Sequence, residues 1–207
     1  MSNISKLNPK TTALLILDLQ NDVIMEGGAF ADSGAPAHAK SQNVVENVKR
    51  LAAAVRSAGG RVIIVNHFGS TGAGDDSDSK QNAPLFRGVR EASALVPGTW
   101  GAEQVAGLEA QQGDIVVQKQ RHGAFSGTPL EIKLRCLGAE NVIVTGAWTN
   151  MSVEMTTRQG ADLGFSMVLV TDGTSTVSEE WQNAAVNFAV QNLAETGTTD
   201  EVIAAIG

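Results

Sequence analysis

The segment over residues 141–163 joins two kinds of secondary structure and limits the possible folds more than any other stretch. It opens with the apolar run 142–144, which is bounded by turn residues and has the character of a buried strand. The pattern then becomes helical, beginning at the capping residues Thr149 and Asn150 and ending before Gly164. A buried parallel strand that leads directly into a helix predicts an α/β fold.

Further apolar runs of strand length alternate with helical patterns along the rest of the chain. They cover residues 13–17, 62–65, 114–118 and 167–170. No internal repeat, linker or change of composition divides the 207 residues, so the sequence predicts a single domain over residues 1–207. The alternation of strands and helices favours a three-layer α/β/α architecture with a largely parallel central sheet.

Charge and hydropathy exclude several classes of partner. A net charge of −7 disfavours nucleic acid and anionic membranes, because both reward basic surfaces. The apolar runs are far shorter than a membrane span, and the N-terminal residues lack the apolar core of a secretory signal. We therefore expect a cytoplasmic protein that acts on a small molecule. The single cysteine, Cys136, fits a reducing compartment and is expected to be a small buried residue of a helix.

Three polar residues lie at the ends of predicted strands or at the start of the central helix. Asp18 follows the run 13–17, Lys119 follows the run 114–118, and Ser152 lies where the positive end of the helix dipole faces an anion-friendly site. Because open α/β sheets bind ligands at the carboxyl ends of their strands, one crevice could collect all three side chains. From the residues alone, Asp18 could equally be a turn or capping residue and Lys119 a surface residue.

Three segments of the chain resemble the motifs of the isochorismatase-like, or cysteine hydrolase, family. TGAWTNMSVEMTTRQGADLGF over residues 145–165 resembles its active-site segment, T-G-x-x-T-N-x-C-V-E-x-T followed by R-D-A-x-x-L-G-[YF]. ALLILDLQND over residues 13–22 and VVQKQRHGAFSGTPLE over residues 116–131 resemble its aspartate and lysine segments in the same order. The resemblance extends over nearly the whole chain and implies the same three-layer α/β/α fold.

The resemblance also implies a catalytic set. In amidase members the aspartate, here Asp18, takes a proton from the nucleophile, and the lysine, here Lys119, keeps that aspartate charged and oriented. Ser152 occupies the position at which most members carry the nucleophilic cysteine. The implied oxyanion hole consists of the backbone N–H groups of Trp148 and Ser152, next to a non-proline cis peptide bond at Ala147-Trp148.

Substrate contacts are implied at positions around the same three motifs. They are expected at Gln20, Asn21, His122, Phe125, Trp148 and Thr149. His122 replaces the usual aromatic residue of the lysine segment, and Trp148 would narrow the pocket and favour a planar substrate. The substrates implied for the family are small polar acyl compounds such as carboxamides, ureido compounds or a small cyclic carboxylate. The resemblance implies no cofactor, and it implies a homodimer or homotetramer.

The serine at position 152 leaves three explanations open. A cysteine thiol has a pKa of about 8.5, within reach of a tuned carboxylate, whereas an alcohol is a far weaker acid that normally needs a base such as histidine. Ser152 could be an engineered replacement of cysteine that traps a substrate complex. It could belong to a natural member that needs no covalent step, as in isochorismatases that use the aspartate as an acid on a vinyl ether. It could also mark a catalytically silent binding protein.

The remaining predictions concern two loops and the histidines. Residues 27–40 lack apolar periodicity and are predicted to be a loop in which His38 is a surface residue. Residues 70–81 are polar and glycine-rich and are predicted to be a surface flap or insertion. His67 follows the run 62–65 and could reach the pocket, but it has no second histidine at metal-ligand spacing. We therefore expect no metal site.

Overall fold

The computed structural model describes residues 4–69 and 83–206. Within these residues the chain forms a parallel sheet of six strands. They are β1 (Thr12–Leu17), β2 (Arg61–His67), β3 (Ile115–Lys119), β4 (Asn141–Ala147), β5 (Ser166–Ser175) and β6 (Glu195–Gly197). Their order across the sheet is β3-β2-β1-β4-β5-β6, so β1 is central and the chain proceeds outward from it in both directions.

Helices cover both faces of this sheet. They are α1 (Asn21–Ile24), α2 (Ala35–Ser41), α3 (Val44–Ser57), α4 (Pro84–Glu91), α5 (Leu130–Cys136), α6 (Glu154–Asp162), α7 (Glu179–Ala184) and α8 (Thr199–Ile206). One apolar cluster packs α3, α4 and α8 against one face of the sheet, and a second packs α5 against the other. The predicted three-layer α/β/α architecture is therefore confirmed. In the described parts of the chain, no helix combines the length and the apolar character needed to cross a lipid bilayer.

The strand order creates a crevice at one edge of the sheet. Strand β1 pairs with β2 on one side and with β4 on the other, and Leu17 at its end lies level with Val65 and Gly146. On the next pair of strands, His67 lies level with Lys119. The direction of strand order reverses at β1, and this is where open α/β sheets form their ligand sites.

Three local predictions were wrong. Residues 27–40 are not an irregular loop, because they include a short 3-10 helix and then α2, which has proline in its first turn. His38 is buried, and its Nδ1 accepts a hydrogen bond of 3.2 Å from the backbone N–H of Thr176. Cys136, expected to be buried, is exposed at the last position of α5. The predicted flap over residues 70–81 lies outside the described residues.

Candidate active site

Asp18 turns the chain sharply at the end of β1. Its backbone N–H donates to the carbonyl of Val65 at 2.9 Å, which continues the pairing with β2 for one more residue. Its φ angle is 52°, in the left-handed region that residues other than glycine seldom adopt. Such conformations are found preferentially at functional sites, where surrounding structure holds them in place. The turn brings the carboxyl group to the carboxyl edge of the sheet.

Lys119, the last residue of β3, forms an ion pair with Asp18. Its Nζ lies 2.7 Å from Oδ2 of Asp18, and the two side chains are only 2% and 7% exposed. The same Nζ donates to the backbone carbonyls of Arg121 at 3.0 Å and His122 at 3.2 Å. An ammonium group has three hydrogens, so all of its donors are used inside the protein.

Ser152 lies in the connection between β4 and α6. This connection is a π-helical turn, Thr149–Val153, that continues directly into α6. Gly146 at the end of β4 has a φ angle of 125°, and a side chain there would meet the carbonyl oxygen of Leu17 at 2.0 Å. Only glycine permits this close approach of β4 to β1. The Ala147-Trp148 peptide bond is cis, at the position implied by the sequence resemblance.

The protein environment favours the protonated form of the Asp18 carboxyl more than exposure to water would. Burial raises the pKa of the carboxyl above its ordinary value of 3.8, and the Lys119 ammonium and the Ser152 hydroxyl oppose that shift. The hydroxyl is near enough to stabilise the carboxylate, although no hydrogen bond within ordinary distance and angle limits joins the two groups. Both Asp18 Oδ1 and Ser152 Oγ are buried without a hydrogen-bond partner. One carboxyl oxygen is thus held by the lysine, and the other is available.

A cavity with a mostly apolar lining surrounds these groups. The space that it encloses, counted together with its open mouth, is about 480 Å³. Apart from Asp18, Lys119 and Ser152, the lining consists of Val23, Phe30, His67, Leu85, Phe86, Val89, Leu95, His122, Ala147, Trp148 and Met151. We call Asp18, Lys119 and Ser152 the polar wall, and Phe30, Leu85, Phe86, Val89 and Leu95 the apolar wall.

Two histidines border the cavity beside Phe86. The His67 ring stacks on Phe86 with centroids 6.0 Å apart, and the His122 ring lies 4.8 Å from Phe86 in a tilted arrangement. Burial lowers the pKa of His67 to about 3, and the positive charge of Lys119 acts in the same direction. Burial also lowers the pKa of His122, as does Lys119, while Asp18 raises it. Both imidazoles are therefore neutral near pH 7.

Buried polar atoms without a hydrogen-bond partner are concentrated around this cavity. Four of them belong to residues of its lining: Asp18 Oδ1, His67 Nε2, Trp148 Nε1 and Ser152 Oγ. A buried polar group without a partner costs about 1–3 kcal/mol, so such groups are rare in folded proteins unless a ligand serves them. The cavity therefore has the polar groups of a binding site.

Four of the residues expected to contact substrate are used in other ways. Gln20 is fully buried: its Nε2 donates to the carbonyls of His67 and Ala102, and its Oε1 accepts from the His67 N–H. The Asn21 side-chain amide donates to the carbonyl of Trp100 at 2.8 Å. Both side chains fasten neighbouring segments and do not line the cavity, so substrate contact at these two residues stays a prediction.

Thr149 and Phe125 also lie outside the cavity lining. The Thr149 hydroxyl donates to Oε1 of the buried Gln182 at 2.5 Å. The Phe125 ring stacks on Phe165 with centroids 6.0 Å apart, in the apolar cluster on the α5 side of the sheet. Thr149 therefore anchors the turn before Ser152, and Phe125 belongs to the core. His122 and Trp148, which were also expected to contact substrate, line the cavity.

The apolar wall was not identified from the sequence. Phe30 and Leu95 lie in connecting segments, and Leu85, Phe86 and Val89 lie on α4, outside the motifs that carry the family resemblance. Their spacing on α4 was the available signal, since it places three apolar residues on one helical face. In the described residues, no group of three or more His, Cys, Asp and Glu side chains is arranged to hold a metal ion.

Comparisons with known proteins agree with this geometry. Residues 12–201 match the isochorismatase domain family. The uncharacterized isochorismatase family protein YecD of Escherichia coli O157:H7 is 32% identical over 201 residues, which cover 97% of this chain and 99% of the relative. The ureidoacrylate amidohydrolase RutB of Enterobacter sp. (strain 638) is 32% identical over 196 residues, covering 89% of this chain and 84% of the relative.

A solved structure supports the same assignment. The crystal structure of a cysteine hydrolase from Pseudomonas syringae pv. phaseolicola 1448A superposes with a TM-score of 0.85 at 25% identity, covering 98% of this chain and 95% of that chain. Domain match, sequence relatives and structural neighbour all extend over nearly the whole described fold. The chain belongs to the isochorismatase family, whose members are hydrolases and include amidohydrolases.

Proposed function

We propose that this protein hydrolyses the C–N bond of a small carboxamide or ureido compound, with Asp18 as the general base, Lys119 as the group that holds it, and Ser152 as the nucleophile. The observation that carries the proposal is the state of the Asp18 carboxyl group. Lys119 binds Oδ2 at 2.7 Å, and Oδ1 is buried without a partner beside the Ser152 hydroxyl. The oxygen that is not bound to Lys119 can accept the nucleophile's proton.

The proposed reaction has two stages. Ser152 Oγ attacks the carbonyl carbon while its proton passes to Asp18, and the oxyanion is stabilised by the backbone N–H groups of Trp148 and Ser152. The C–N bond then breaks, and the leaving nitrogen takes the proton from Asp18. Water, deprotonated by Asp18, attacks the ester and releases the acid and the Ser152 hydroxyl. Burial supports this role, because it raises the pKa of Asp18 and makes the carboxylate a stronger base.

A second candidate reaction needs no covalent step. In it, protonated Asp18 acts as a general acid on the vinyl ether of a small cyclic carboxylate, and Ser152 is only a wall of the cavity. One observation favours it: burial raises the pKa of Asp18 above its ordinary value, which favours the protonated form that an acid needs. The relatives include a ureidoacrylate amidohydrolase, which favours the first candidate.

The substitution Ser152→Cys separates these reactions. If the covalent amidase proposal is right, the cysteine form should release ammonia from small amides or ureides much faster than the serine form, because Asp18 can ionise a thiol but hardly an alcohol. Ser152→Ala should remove the activity. If the vinyl ether reaction is right, the unaltered protein should hydrolyse isochorismate, and changes at position 152 should matter little. A ligand that binds in the cavity while all forms remain inactive would identify a binding protein.

A further inference from the structure

The described residues that line the cavity offer no unpaired positive charge. Lys119 is the one cationic side chain of its lining, and its three donors are used by Asp18 and by the carbonyls of Arg121 and His122. The Lys119 charge is also balanced by Asp18. A carboxylate on a ligand would therefore leave water without gaining a cationic partner, which is strongly unfavourable in an apolar site.

The two histidines do not supply the missing charge. Burial and the positive charge of Lys119 lower the pKa of both His67 and His122, so that neither imidazole is protonated near pH 7. Stacking of His67 on Phe86 leaves the imidazole as part of an aromatic surface that carries hydrogen-bonding nitrogen atoms. The histidines thus favour neutral, planar groups.

Two buried polar atoms without a hydrogen-bond partner distinguish the cavity lining from a purely apolar one. His67 Nε2 and Trp148 Nε1 are both buried and make no hydrogen bond. His67 as a whole is 7% exposed, and Phe30 packs edge-on against the Trp148 ring at 5.8 Å. The indole N–H is a donor only, whereas a neutral imidazole nitrogen donates or accepts. A neutral polar group on a planar ligand satisfies both without introducing charge.

We propose that the cavity selects uncharged, planar carboxamides or ureides with an apolar body, that His67 Nε2 binds a neutral polar group of the ligand, and that compounds with a carboxylate on that body are excluded. This inference rests on the proposed function, since it names the substrate class of the same site. It differs from that function in predicting which ligands bind, whether or not they react.

Binding of matched ligands tests the charge preference. Three ligands are compared by isothermal titration of the unaltered protein. Benzamide is the neutral probe, and para-carbamoylbenzoate is its charged analogue. Methyl para-carbamoylbenzoate is nearly as large as the charged analogue but carries no charge. We expect both neutral compounds to bind at least about tenfold more tightly than the charged one, because only the carboxylate is buried without a cation. Tighter or equal binding of the charged compound would overturn the inference.

Substitution at His67 tests the hydrogen bond. His67→Phe keeps a stacked ring beside Phe86 but removes the nitrogen, and His67→Gln restores a polar group. We expect benzamide affinity to fall by about tenfold in His67→Phe and to recover partly in His67→Gln, the scale of one lost hydrogen bond. Unchanged affinity in a folded His67→Phe protein, confirmed by thermal melting, would contradict this part of the proposal.

The outcomes distinguish this inference from the proposed function. If the neutral ligands bind preferentially but no form releases ammonia, the hydrolase proposal fails and the selectivity stands. If amides are hydrolysed but the charged analogue binds as well as benzamide, the selectivity fails and the hydrolase proposal stands. If benzamide, its methyl ester analogue and phenylurea all fail to bind, the selectivity is wrong regardless of activity.

Discussion

The two walls of the cavity come from different parts of the architecture. The polar wall consists of residues at the ends of β1 and β3 and in the turn after β4, so the sheet itself determines the positions of Asp18, Lys119 and Ser152. The apolar wall comes from α4 and from connecting segments that carry Phe30 and Leu95. In the proposed function, the chemistry is thus placed on the sheet and the selectivity on α4 and the connecting segments, an arrangement that lets one fold serve different substrates.

The largest effect is expected for Asp18→Asn. Asparagine has nearly the same shape and tolerates the positive φ of this position, so the backbone should be retained. Loss of the base should lower kcat/KM for amide hydrolysis by about a thousandfold, the scale of general base catalysis. Ammonia release measures the effect, and thermal melting confirms the fold. Activity close to that of the unaltered protein would show that Asp18 is not the base of the reaction.

The pH dependence of hydrolysis by the unaltered protein tests the same role of Asp18. Burial raises the pKa of Asp18 above 3.8, and only the deprotonated carboxylate can act as a base. Hydrolysis should therefore be present above this raised pKa and lost as pH falls through it. An acid limb of kcat/KM at or below the ordinary carboxylate value would contradict the assignment of Asp18 as the buried base.

Gln20→Met tests the finding that Gln20 supports the site without lining it. The substitution removes three hydrogen bonds to His67 and Ala102 and leaves buried backbone groups unpaired. The free energy of unfolding should fall by about 3 kcal/mol. Urea denaturation measures it, with Gln118→Met at an exposed position of β3 as the matched control. Equal stabilities of the two variants would show that Gln20 has no structural role.

His67 should make the protein sensitive to acid. Its pKa is lowered from 6.5 to about 3 in the fold, so the unfolded chain binds a proton that the folded chain does not. The stabilising contribution is complete above about pH 6.5 and is lost as pH falls from there toward 3. From pH 7 to 5, the unaltered protein should lose about 2 kcal/mol more stability than His67→Phe. Urea denaturation at both pH values measures the free energy of unfolding. An equal loss in the unaltered protein and in His67→Phe would contradict the assignment of His67 as a neutral buried imidazole.

The smallest effect is expected in the apolar wall. Phe86→Leu should raise KM by several-fold and leave kcat nearly unchanged, because the ring contributes to binding equally before and during the reaction. Phe165→Leu is the matched control, since this buried ring packs on Phe125 away from the cavity. A fall in kcat without a change in KM for Phe86→Leu would remove the distinction between the two walls.

The sequence predicted the layers of the fold and which residues meet at the edge of the sheet. Asp18 and Lys119 could be placed at that edge because apolar strand runs end directly before them, and parallel strands bring their ends together. Their interpretation as site residues also needed the resemblance of their segments to the family motifs. The hydrogen-bonding roles of Gln20, Asn21 and Thr149 could not be predicted, because a motif residue that contacts substrate and one that hydrogen-bonds to a neighbouring segment look alike in sequence. His38 was misassigned since its burial depends on packing of α2 against distant Thr176.

The most direct test of the polar wall is the mass of a covalent intermediate. Ser152→Cys is incubated with benzamide and its intact mass is recorded, alongside the double substitution Asp18→Asn and Ser152→Cys. If Asp18 activates the nucleophile at position 152, the single variant should gain a benzoyl group with release of ammonia, and the double variant should not. An unmodified Ser152→Cys protein that binds benzamide without releasing ammonia would contradict the account, as would equal acylation of both variants.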